Sequence, residues 1–149
     1  MAVARLVDSG AQFLVHCGDI TGPAIVSELA AVPSFFVLGN CDRQLAELRS
    51  AIRFIGATCL ERGGLIDLGN RRVAVTHGDS DLERSRLLAE RPDYLMSGHT
   101  HRARDYRKGA TRCINPGALH RAAVWTVALL DLDSDHLSLL TINNTSMRT

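Results

Sequence analysis

Four short apolar runs in the first hundred residues each end in a glycine beside a side chain that can bind a metal ion. Each run leads directly into its polar residues: 12–16 into Cys17-Gly18-Asp19, 34–38 into Gly39-Asn40-Cys41-Asp42, 73–76 into His77-Gly78-Asp79, and 94–97 into Gly98-His99-Thr100-His101. In open α/β sheets, ligands collect outside the carboxyl ends of the strands, where glycine lets the backbone turn around a small charged group. The pattern therefore predicts one site built from the ends of several strands.

Helical segments separate the strands in the first two thirds of the chain. Residues 23–31 begin with a proline at a first-turn position, and residues 42–51 and 81–90 carry leucines at helical spacing. A hairpin is predicted for 65–75, and after Gly98 only strands are predicted, at 103–108, 111–114, 122–132 and 137–142. This order predicts an α+β sandwich of two packed sheets flanked by helices. A chain of 149 residues is expected to form one domain over 1–149, with a fraying end at 143–149.

The composition excludes several classes of protein. The 17 basic and 16 acidic residues give a net charge of +1, which supplies no general positive field for binding duplex DNA. No stretch approaches the roughly 18–20 apolar residues of a membrane-spanning helix, and Arg5 and Asp8 interrupt the apolar core that a signal peptide needs. The four cysteines lack the C-x-x-C spacing of a zinc knuckle. We expect a cytoplasmic protein that binds neither duplex nucleic acid nor a membrane.

The polar residues at the strand ends form a set of oxygen and imidazole donors without thiolate: Asp19, Asn40, His77, His99 and His101. Such donors suit first-row divalent metals. Two ions about 3.5–4 Å apart can activate a bridging water and hold a phosphoryl group, and Asp19 is the candidate for the bridging carboxylate. A single Gly-Asp is more often a turn, and a single histidine after a strand is more often a partly buried polar tip. The four motifs in one order, each after a strand, favour a metal site.

These motifs resemble those of the calcineurin-like metallophosphoesterases, specifically the small single-domain phosphodiesterases of bacteria and archaea. The resemblance spans about residues 8–142 and rests on five motifs: His-Cys-Gly-Asp (16–19), Gly-Asn-Cys-Asp (39–42), Thr-His-Gly-Asp (76–79), Gly-His-Thr-His (98–101) and Ile-Asn-Pro-Gly-Ala (114–118). It implies a four-layer α/β/β/α fold with two mixed sheets, and hydrolysis of a phosphodiester or phosphomonoester by a metal-bridging hydroxide. The implied cofactor is a divalent transition metal: Mn, Ni, Zn or Fe.

The resemblance also implies a role for each donor. Asp19 would bridge two ions, while Asn40, His77 and His99 would complete the first of them. His101 would belong to the second ion. The implied catalytic residues are Asp19, Asn40 and His99.

Three further residues are expected on the substrate side of the site. Asn115 lies in a turn that resembles the loop bordering the family's site, and Arg121 is expected to contact phosphate. Cys41 stands where many family members have a histidine that is proposed as the general acid. Because a thiol protonates an alkoxide poorly near neutral pH, substrates with good leaving groups are favoured. Asp42 and Asp79 are expected to orient ligating histidines or to cap helices.

The chain departs from the family at its amino end. Family members open with a strand that ends in Asp-x-His, but Asp8 has no histidine two residues after it. Residues 1–9 predict the end of a helix that stops at Gly10, so the opening strand is expected to be missing and to lie in an upstream segment of about 20–25 residues. We therefore expect one well-formed metal site, or none occupied, rather than two. Because an open sheet edge favours association, the chain is expected either to form a homodimer or to be marginally stable.

Two functions remain open at the level of the sequence. The leading hypothesis is a metal-dependent phosphoesterase that acts on a small phosphoester substrate and is impaired by the missing strand. The alternative is a non-catalytic scaffold that binds proteins on a degenerate metallophosphoesterase fold. The retained donors favour the enzyme, and the amino-terminal departure favours the scaffold. An exonuclease of the same superfamily is disfavoured by the small size and the near-zero charge.

Overall fold

The strands within residues 1–143, which the computed structural model describes, form three hydrogen-bonded sheets. The first sheet is parallel, with the order β1-β2-β3: β1 (Leu14–His16), β2 (Ser34–Phe36) and β3 (Thr58–Cys59). The second is mixed, with the order β4-β5-β6-β8-β7: β4 (Gly63–Leu68), β5 (Arg71–Thr76), β6 (Tyr94–Met96), β7 (Ala103–Lys108) and β8 (Thr111–Pro116). The third is an antiparallel hairpin of β9 (Thr126–Asp131) and β10 (His136–Thr141).

Helices alternate with strands only in the first part of the chain, as the sequence predicts. They are α1 (Ala2–Asp8), α2 (Pro23–Glu28), the 3₁₀ turn Leu29–Ala31, α3 (Leu45–Phe54) and α4 (Asp81–Ala89). Proline at the first position of α2 suits a helix start because its missing N–H has no partner there in any helix. Within the described range, no helix combines the length and hydrophobicity needed to cross a bilayer.

Three apolar clusters organise the molecule into four layers. One face of the β1-β2-β3 sheet packs against α1, α2 and α3 through residues that include Leu14 and Leu48. Its other face and the β9-β10 hairpin pack against the five-stranded sheet, where Val15 and Val75 belong to one cluster. Leu87 of α4 packs on the outer face of the five-stranded sheet. The α/β/β/α sandwich is therefore confirmed.

Parallel pairing determines where the strands end. In the first sheet Leu14 lies opposite Ser34, and in the second Val73 lies opposite Tyr94, so β1 and β2, like β5 and β6, run in the same direction. Parallel neighbours finish at the same edge of their sheet. The loops that carry the Gly-Asp, Gly-Asn, His-Gly and Gly-His-Thr-His motifs therefore emerge in two adjacent pairs.

Several element boundaries differ from the prediction, and two elements start three or more residues later than predicted. α3 begins at Leu45 rather than at 42, because the carboxylate of Asp42 accepts the backbone N–H groups of Gly39 and Thr21 and so belongs to the preceding loop. β9 begins at Thr126 rather than at 122, because the Thr126 hydroxyl donates to the carbonyl of Pro116 and ties the strand's start to β8. The predicted helix over 1–9 is present as α1, and the described residues contain no strand before it. Most of the segment predicted to fray, 144–149, lies outside the described residues.

Candidate metal centre

The loops after β1, β2, β5 and β6 bring four of the five predicted donors into contact around His77. Its Nε2 lies 3.0 Å from Oδ1 of Asn40 and 3.4 Å from Oδ2 of Asp19. The same atom lies 3.3 Å from Nδ1 of His99. His77 is only 2% exposed, whereas Asn40 and His99 are exposed. His77 thus forms the buried floor of a group of donors that opens to solvent.

Two glycines allow the loops to approach this closely. Gly18 has a φ of +94°, and a Cβ there would lie 2.5 Å from Nδ1 of His77. A Cβ at Gly39 would lie 2.1 Å from Oδ1 of Asp19. Both distances are far below van der Waals contact, so any side chain at either position would push the donors apart. Steric exclusion of a side chain therefore explains why glycine occupies these positions in the Gly-Asp and Gly-Asn motifs.

Three of the predicted donors have left-handed backbone conformations, which non-glycine residues rarely adopt. The φ values are +54° at Asp19, +64° at His99 and +56° at His101. Such conformations cost about 1–3 kcal/mol each and persist only where the surrounding structure enforces them. Backbone strain of this kind concentrates at functional sites, and here it occurs in two of the four loops that carry the donors.

The orientation of His77 is set by a backbone carbonyl. Nδ1 of His77 lies 2.7 Å from the carbonyl oxygen of Cys17, which can only accept, so Nδ1 carries the hydrogen and donates. In the neutral ring, Nε2 then presents its lone pair to the oxygens of Asn40 and Asp19. A histidine whose second nitrogen donates to a carbonyl is the usual arrangement of a metal ligand. A cation among these atoms would relieve the repulsion between lone pairs.

The donor chemistry fits one divalent transition ion. Neighbouring donors around an ion with bonds of about 2.1 Å lie about 3.0 Å apart in octahedral and about 3.4 Å apart in tetrahedral geometry, which matches the separations from Nε2 of His77. However, no group of at least three His, Cys, Asp or Glu side chains in residues 1–143 is arranged to hold an ion. The contacts radiate from His77 rather than from a shared central point. An ion site here therefore needs Asn40 in addition to Asp19, His77 and His99. The exposed side chains of Asn40 and His99 must also rotate before the four donors can surround an ion.

The residues expected at a second ion are not brought together. Nδ1 of His101 lies 3.4 Å from the carbonyl of Arg121, and no described contact joins His101 to Asp19. Asp8, the only early aspartate, is exposed at the end of α1. Among the described residues, the donors that contact His77 are thus the only predicted donors that are brought together.

Asn115 ties the loop after β6 to the end of β8. It is 6% exposed, and its Nδ2 donates to the carbonyl of Gly98 at 2.7 Å and to the hydroxyl of Thr100 at 3.2 Å. Its Oδ1 accepts the backbone N–H of Gly117 at 3.0 Å. These bonds fix the backbone on both sides of His99. Asn115 therefore shapes the loop that carries His99.

The two remaining substrate candidates are both exposed. Cys41 is exposed, and its backbone N–H donates to Oδ1 of Asp19 at 2.9 Å. The nearby carboxylate of Asp19 raises the pKa of the Cys41 thiol. Arg121 is exposed with a φ of +50°, and its one described polar contact is made by its backbone carbonyl.

Sequence reasoning missed the groups that support the donors. The carbonyl of Cys17 orients His77, but a backbone carbonyl has no signature in the residue type. Asp42 does not contact a histidine or cap α3; it joins two loops by accepting the N–H groups of Gly39 and Thr21. The position of Asp42 three residues after Gly39 could have indicated this bond, because an aspartate side chain is short and often accepts a nearby backbone N–H group. Asp79 pairs with Arg62 at 2.9 Å instead of orienting a histidine.

Comparison with known proteins gives one family match and several similar structures. The model of the calcineurin-like phosphoesterase superfamily domain matches residues 1–135. No curated protein matches the chain significantly.

Three of the similar solved structures are informative. An archaeal phosphodiesterase superposes with a TM-score of 0.85 at 18% identity, covering 94% of this chain and 88% of that chain. Vps29 of Entamoeba histolytica in complex with zinc superposes with a TM-score of 0.62 at 21% identity, covering 97% of this chain and 83% of that chain. YfcE, a phosphoesterase of E. coli, superposes with a TM-score of 0.59 at 22% identity, covering 95% of this chain and 92% of that chain. At these identities the structural likeness establishes a shared fold.

Proposed function

The chain belongs to the calcineurin-like phosphoesterase superfamily, and from that membership we propose that it is a metal-dependent hydrolase of small phosphodiesters or phosphomonoesters. The observation that carries the proposal is the contact of Asp19, Asn40 and His99 with Nε2 of His77. These four residues would hold one divalent transition ion, Mn, Ni, Zn or Fe, because their donors are oxygen and imidazole nitrogen.

The residues of the chain determine where such an ion would bind. When bound, a divalent ion would lower the pKa of a coordinated water and offset the charge that develops on phosphoryl oxygens. His77 presents Nε2 because the Cys17 carbonyl holds its other nitrogen. Asp19 is held at Oδ1 by the N–H of Cys41, which leaves Oδ2 facing His77.

The exposed side of the donor group supports a small substrate with a good leaving group. Asn40 and His99 are open to solvent, so a phosphoryl group can reach them from outside. The neighbouring side chain is the thiol of Cys41, which is a much weaker acid than an imidazolium. Without an efficient proton donor, esters of acidic alcohols such as nitrophenol react fastest.

The test combines metal binding with hydrolysis of bis(p-nitrophenyl) phosphate in the presence of Mn²⁺. His99→Ala and Asp19→Ala are expected to abolish hydrolysis, because each removes one donor from the set around His77. The matched control is His136→Ala, which removes an exposed imidazole at the start of β10 and is expected to leave the rate unchanged.

Full metal-dependent activity in His99→Ala would show that the site assignment is wrong. If the unaltered chain binds none of Mn²⁺, Ni²⁺, Zn²⁺ and Fe²⁺ as measured by calorimetry, the enzyme proposal fails and the protein-binding scaffold replaces it.

A further inference from the structure

A small pocket lies on the outer face of the five-stranded sheet, beside the loop that follows β6. Its volume is about 50 Å³. Gly98 and Thr100 of the loop line it, together with Arg84 of α4 and with Arg104 and Tyr106 of β7. One water molecule occupies about 10–15 Å³ of such volume, so the pocket has room for a group of a few heavy atoms. A small ionic group fits this space, whereas a sugar or a base does not.

The register of β7 and β8 directs three of the lining side chains toward α4. Arg104 lies opposite Asn115, and Tyr106 lies opposite Cys113. Directly opposite residues of antiparallel strands share one face of the sheet. Cys113 belongs to the apolar cluster that packs against α4. Arg104, Tyr106 and Asn115 therefore lie on the α4 side of the sheet, where the helix contributes Arg84.

Tyr106 fixes the position of the Arg84 guanidinium group. Nη2 of Arg84 donates to the hydroxyl of Tyr106, and the guanidinium carbon lies 5.8 Å from the centre of the tyrosine ring. Arg84 is half-buried, whereas Arg104 is exposed. A guanidinium group has five N–H donors, and the bond to Tyr106 uses one of them. The other donors of Arg84 can bind an acceptor in the pocket.

No carboxylate balances the charge of these two arginines. Among the described residues, neither Arg84 nor Arg104 forms an ion pair. Other arginines hold three acidic side chains of the neighbouring segments at 2.9, 2.6 and 2.8 Å: Arg62 with Asp79, Arg86 with Glu83, and Arg112 with Asp105. No acidic side chain lines the pocket. The pocket therefore has two positive charges that the described structure leaves uncompensated.

Two hydroxyl groups add further donors to the lining. Oγ1 of Thr100 accepts from Nδ2 of Asn115 at 3.2 Å, so its own hydrogen remains free to donate. Ser97 lines the pocket with a second hydroxyl. Guanidinium groups donate and do not accept, and a doubly ionised phosphate offers only acceptor oxygens. The lining is thus complementary to an anion with several acceptor oxygens.

We propose that this pocket binds a phosphate dianion, either free or as the terminal group of a phosphoester. Two guanidinium groups and two hydroxyls would donate to its oxygens, and the planar fork of arginine can donate two parallel bonds to one phosphate. The small volume admits one tetrahedral group, so the remainder of an ester would extend past the exposed Arg104. This site is separate from the donors around His77, and its occupant would not be a metal ligand.

The pocket and the metal centre share the loop after β6. A Cβ at Gly78, which also lines the pocket, would lie 3.3 Å from Cβ of Ser97 and 3.8 Å from Cβ of His99. Thr100 follows His99 directly in the chain. A phosphate bound to the Thr100 hydroxyl would therefore hold the loop one residue beyond a predicted metal donor.

The test titrates inorganic phosphate into the chain after a chelating resin has removed metal ions, so that phosphate cannot bind through an ion. Calorimetry is expected to show saturable binding, and the backbone amide NMR signals of Ser97, Thr100 and Tyr106 are expected to shift. Dimethyl phosphate is a monoanion without a terminal phosphate and is expected to bind at least about tenfold more weakly.

Methyl phosphate distinguishes the two sources of the anion. An affinity equal to that of inorganic phosphate would support the site and show that the terminal group of an ester enters it. An affinity at least about tenfold weaker than that of inorganic phosphate would support a site for free phosphate alone.

Three variants make the location specific. Arg84→Gln and Arg104→Gln are each expected to weaken phosphate binding at least about tenfold, because each removes charged donors. The matched control is Arg53→Gln, which removes one positive charge from an exposed arginine at the end of α3 and is expected to leave binding unchanged. Because Arg104 is exposed, Arg104→Gln tests the site even if Arg84→Gln lowers the Tm.

Two results would overturn the proposal. One is the absence of saturable phosphate binding to the unaltered chain. The other is phosphate binding that Arg84→Gln and Arg104→Gln leave unchanged or weaken no more than Arg53→Gln does. None of these measurements uses a metal ion, so they do not depend on the proposed hydrolysis.

Discussion

His77 shows how one buried side chain comes to organise a group of exposed ones. Its ring is held at Nδ1 by the Cys17 carbonyl, and its Nε2 faces Asn40, Asp19 and His99. The carbonyl can reach Nδ1 only because Gly18, the next residue, has no side chain to block the ring. The geometry of the donor group thus depends on a residue that contributes no donor.

We expect Gly18→Ala to abolish metal binding. The new methyl group would lie 2.5 Å from Nδ1 of His77 and would displace the ring from the Cys17 carbonyl. The control is Gly10→Ala, because Gly10 has a φ of +96° but nothing within 4 Å of a Cβ. Both substitutions are expected to lower the free energy of unfolding by about 1–2 kcal/mol, because alanine is disfavoured in the left-handed backbone conformation. Calorimetry with Mn²⁺ and urea unfolding should show a further loss of about 1–3 kcal/mol of stability in Gly18→Ala alone. Equal metal affinity in the two variants would contradict the steric argument.

His16 is expected to make the fold sensitive to acid. Its Nδ1 is buried without a hydrogen-bond partner in the described structure, and its ring stacks on Phe36 at 5.8 Å. Burial lowers the pKa of His16 to about 4. His16 takes up a proton near pH 6.5 in the unfolded chain but only near pH 4 in the folded chain. The free energy of unfolding is therefore highest above pH 6.5 and falls as the pH drops to about 4.

This titration predicts a loss of about 3 kcal/mol in unfolding free energy between pH 7 and pH 4. His16→Phe keeps an aromatic ring against Phe36 and should remove that part of the pH dependence. The measurement is urea unfolding at both pH values with metal removed by EDTA. An identical pH dependence in the variant would show that His16 is not the group responsible.

At the scale of elements, the loop after β6 owes its shape to the end of β8. Asn115 holds the backbone of Gly98 and the hydroxyl of Thr100, on either side of His99. The left-handed φ of His99 therefore persists because a neighbouring strand enforces it. A substitution in β8 should therefore alter the position of His99 even though it replaces none of the donors.

Asn115→Leu is expected to lower metal affinity by about 10–100-fold, which is the usual effect of losing a group that orients ligands. The matched control is Thr111→Val, at the other end of β8, where the buried hydroxyl donates to the carbonyl of Pro92. Both substitutions remove buried hydrogen bonds and should lower the Tm. Calorimetry should show weakened Mn²⁺ binding only for Asn115→Leu; a similar weakening in Thr111→Val would mean that general destabilisation is the cause.

At the scale of the whole molecule, the donor group joins the two halves of the sandwich. Asp19 and Asn40 follow strands of the three-stranded sheet, while His77 and His99 follow strands of the five-stranded sheet. An ion held by all four would link the two layers. It would bind the folded chain and not the unfolded one, so it should stabilise the fold.

We expect one Mn²⁺ ion per chain and a gain of about 2.7 kcal/mol in unfolding free energy at a free ion concentration of 100 times the Kd. His99→Ala should lose this gain, and EDTA should reverse it in the unaltered chain. Elemental analysis and thermal unfolding provide the two measurements. Two tightly held ions per chain would contradict the separation of His101 from Asp19.

Local sequence already determines the layers and the composition of the donor group. Apolar runs that end in glycine and a polar residue predict strands whose carboxyl ends carry ligands, and parallel strands must finish at a common edge. That reasoning selects five donors, Asp19, Asn40, His77, His99 and His101, and the resemblance to the family implies which four of them share one ion. The helices and the change to β-structure after Gly98 follow from spacing in the same way, and all of these are properties of residues close together in the chain.

The tertiary structure decides which donor is central, what orients it and where the sandwich is open. His77 meets Cys17 across 60 positions of sequence, and that contact exists only after the two sheets have packed. The position of His101 beside Arg121 depends on the path of the loop that follows β8. The gap between β1 and β9 arises because, among the described strands, each of these two is hydrogen-bonded on one edge only. Such features depend on packing between distant segments, which local residue patterns do not encode.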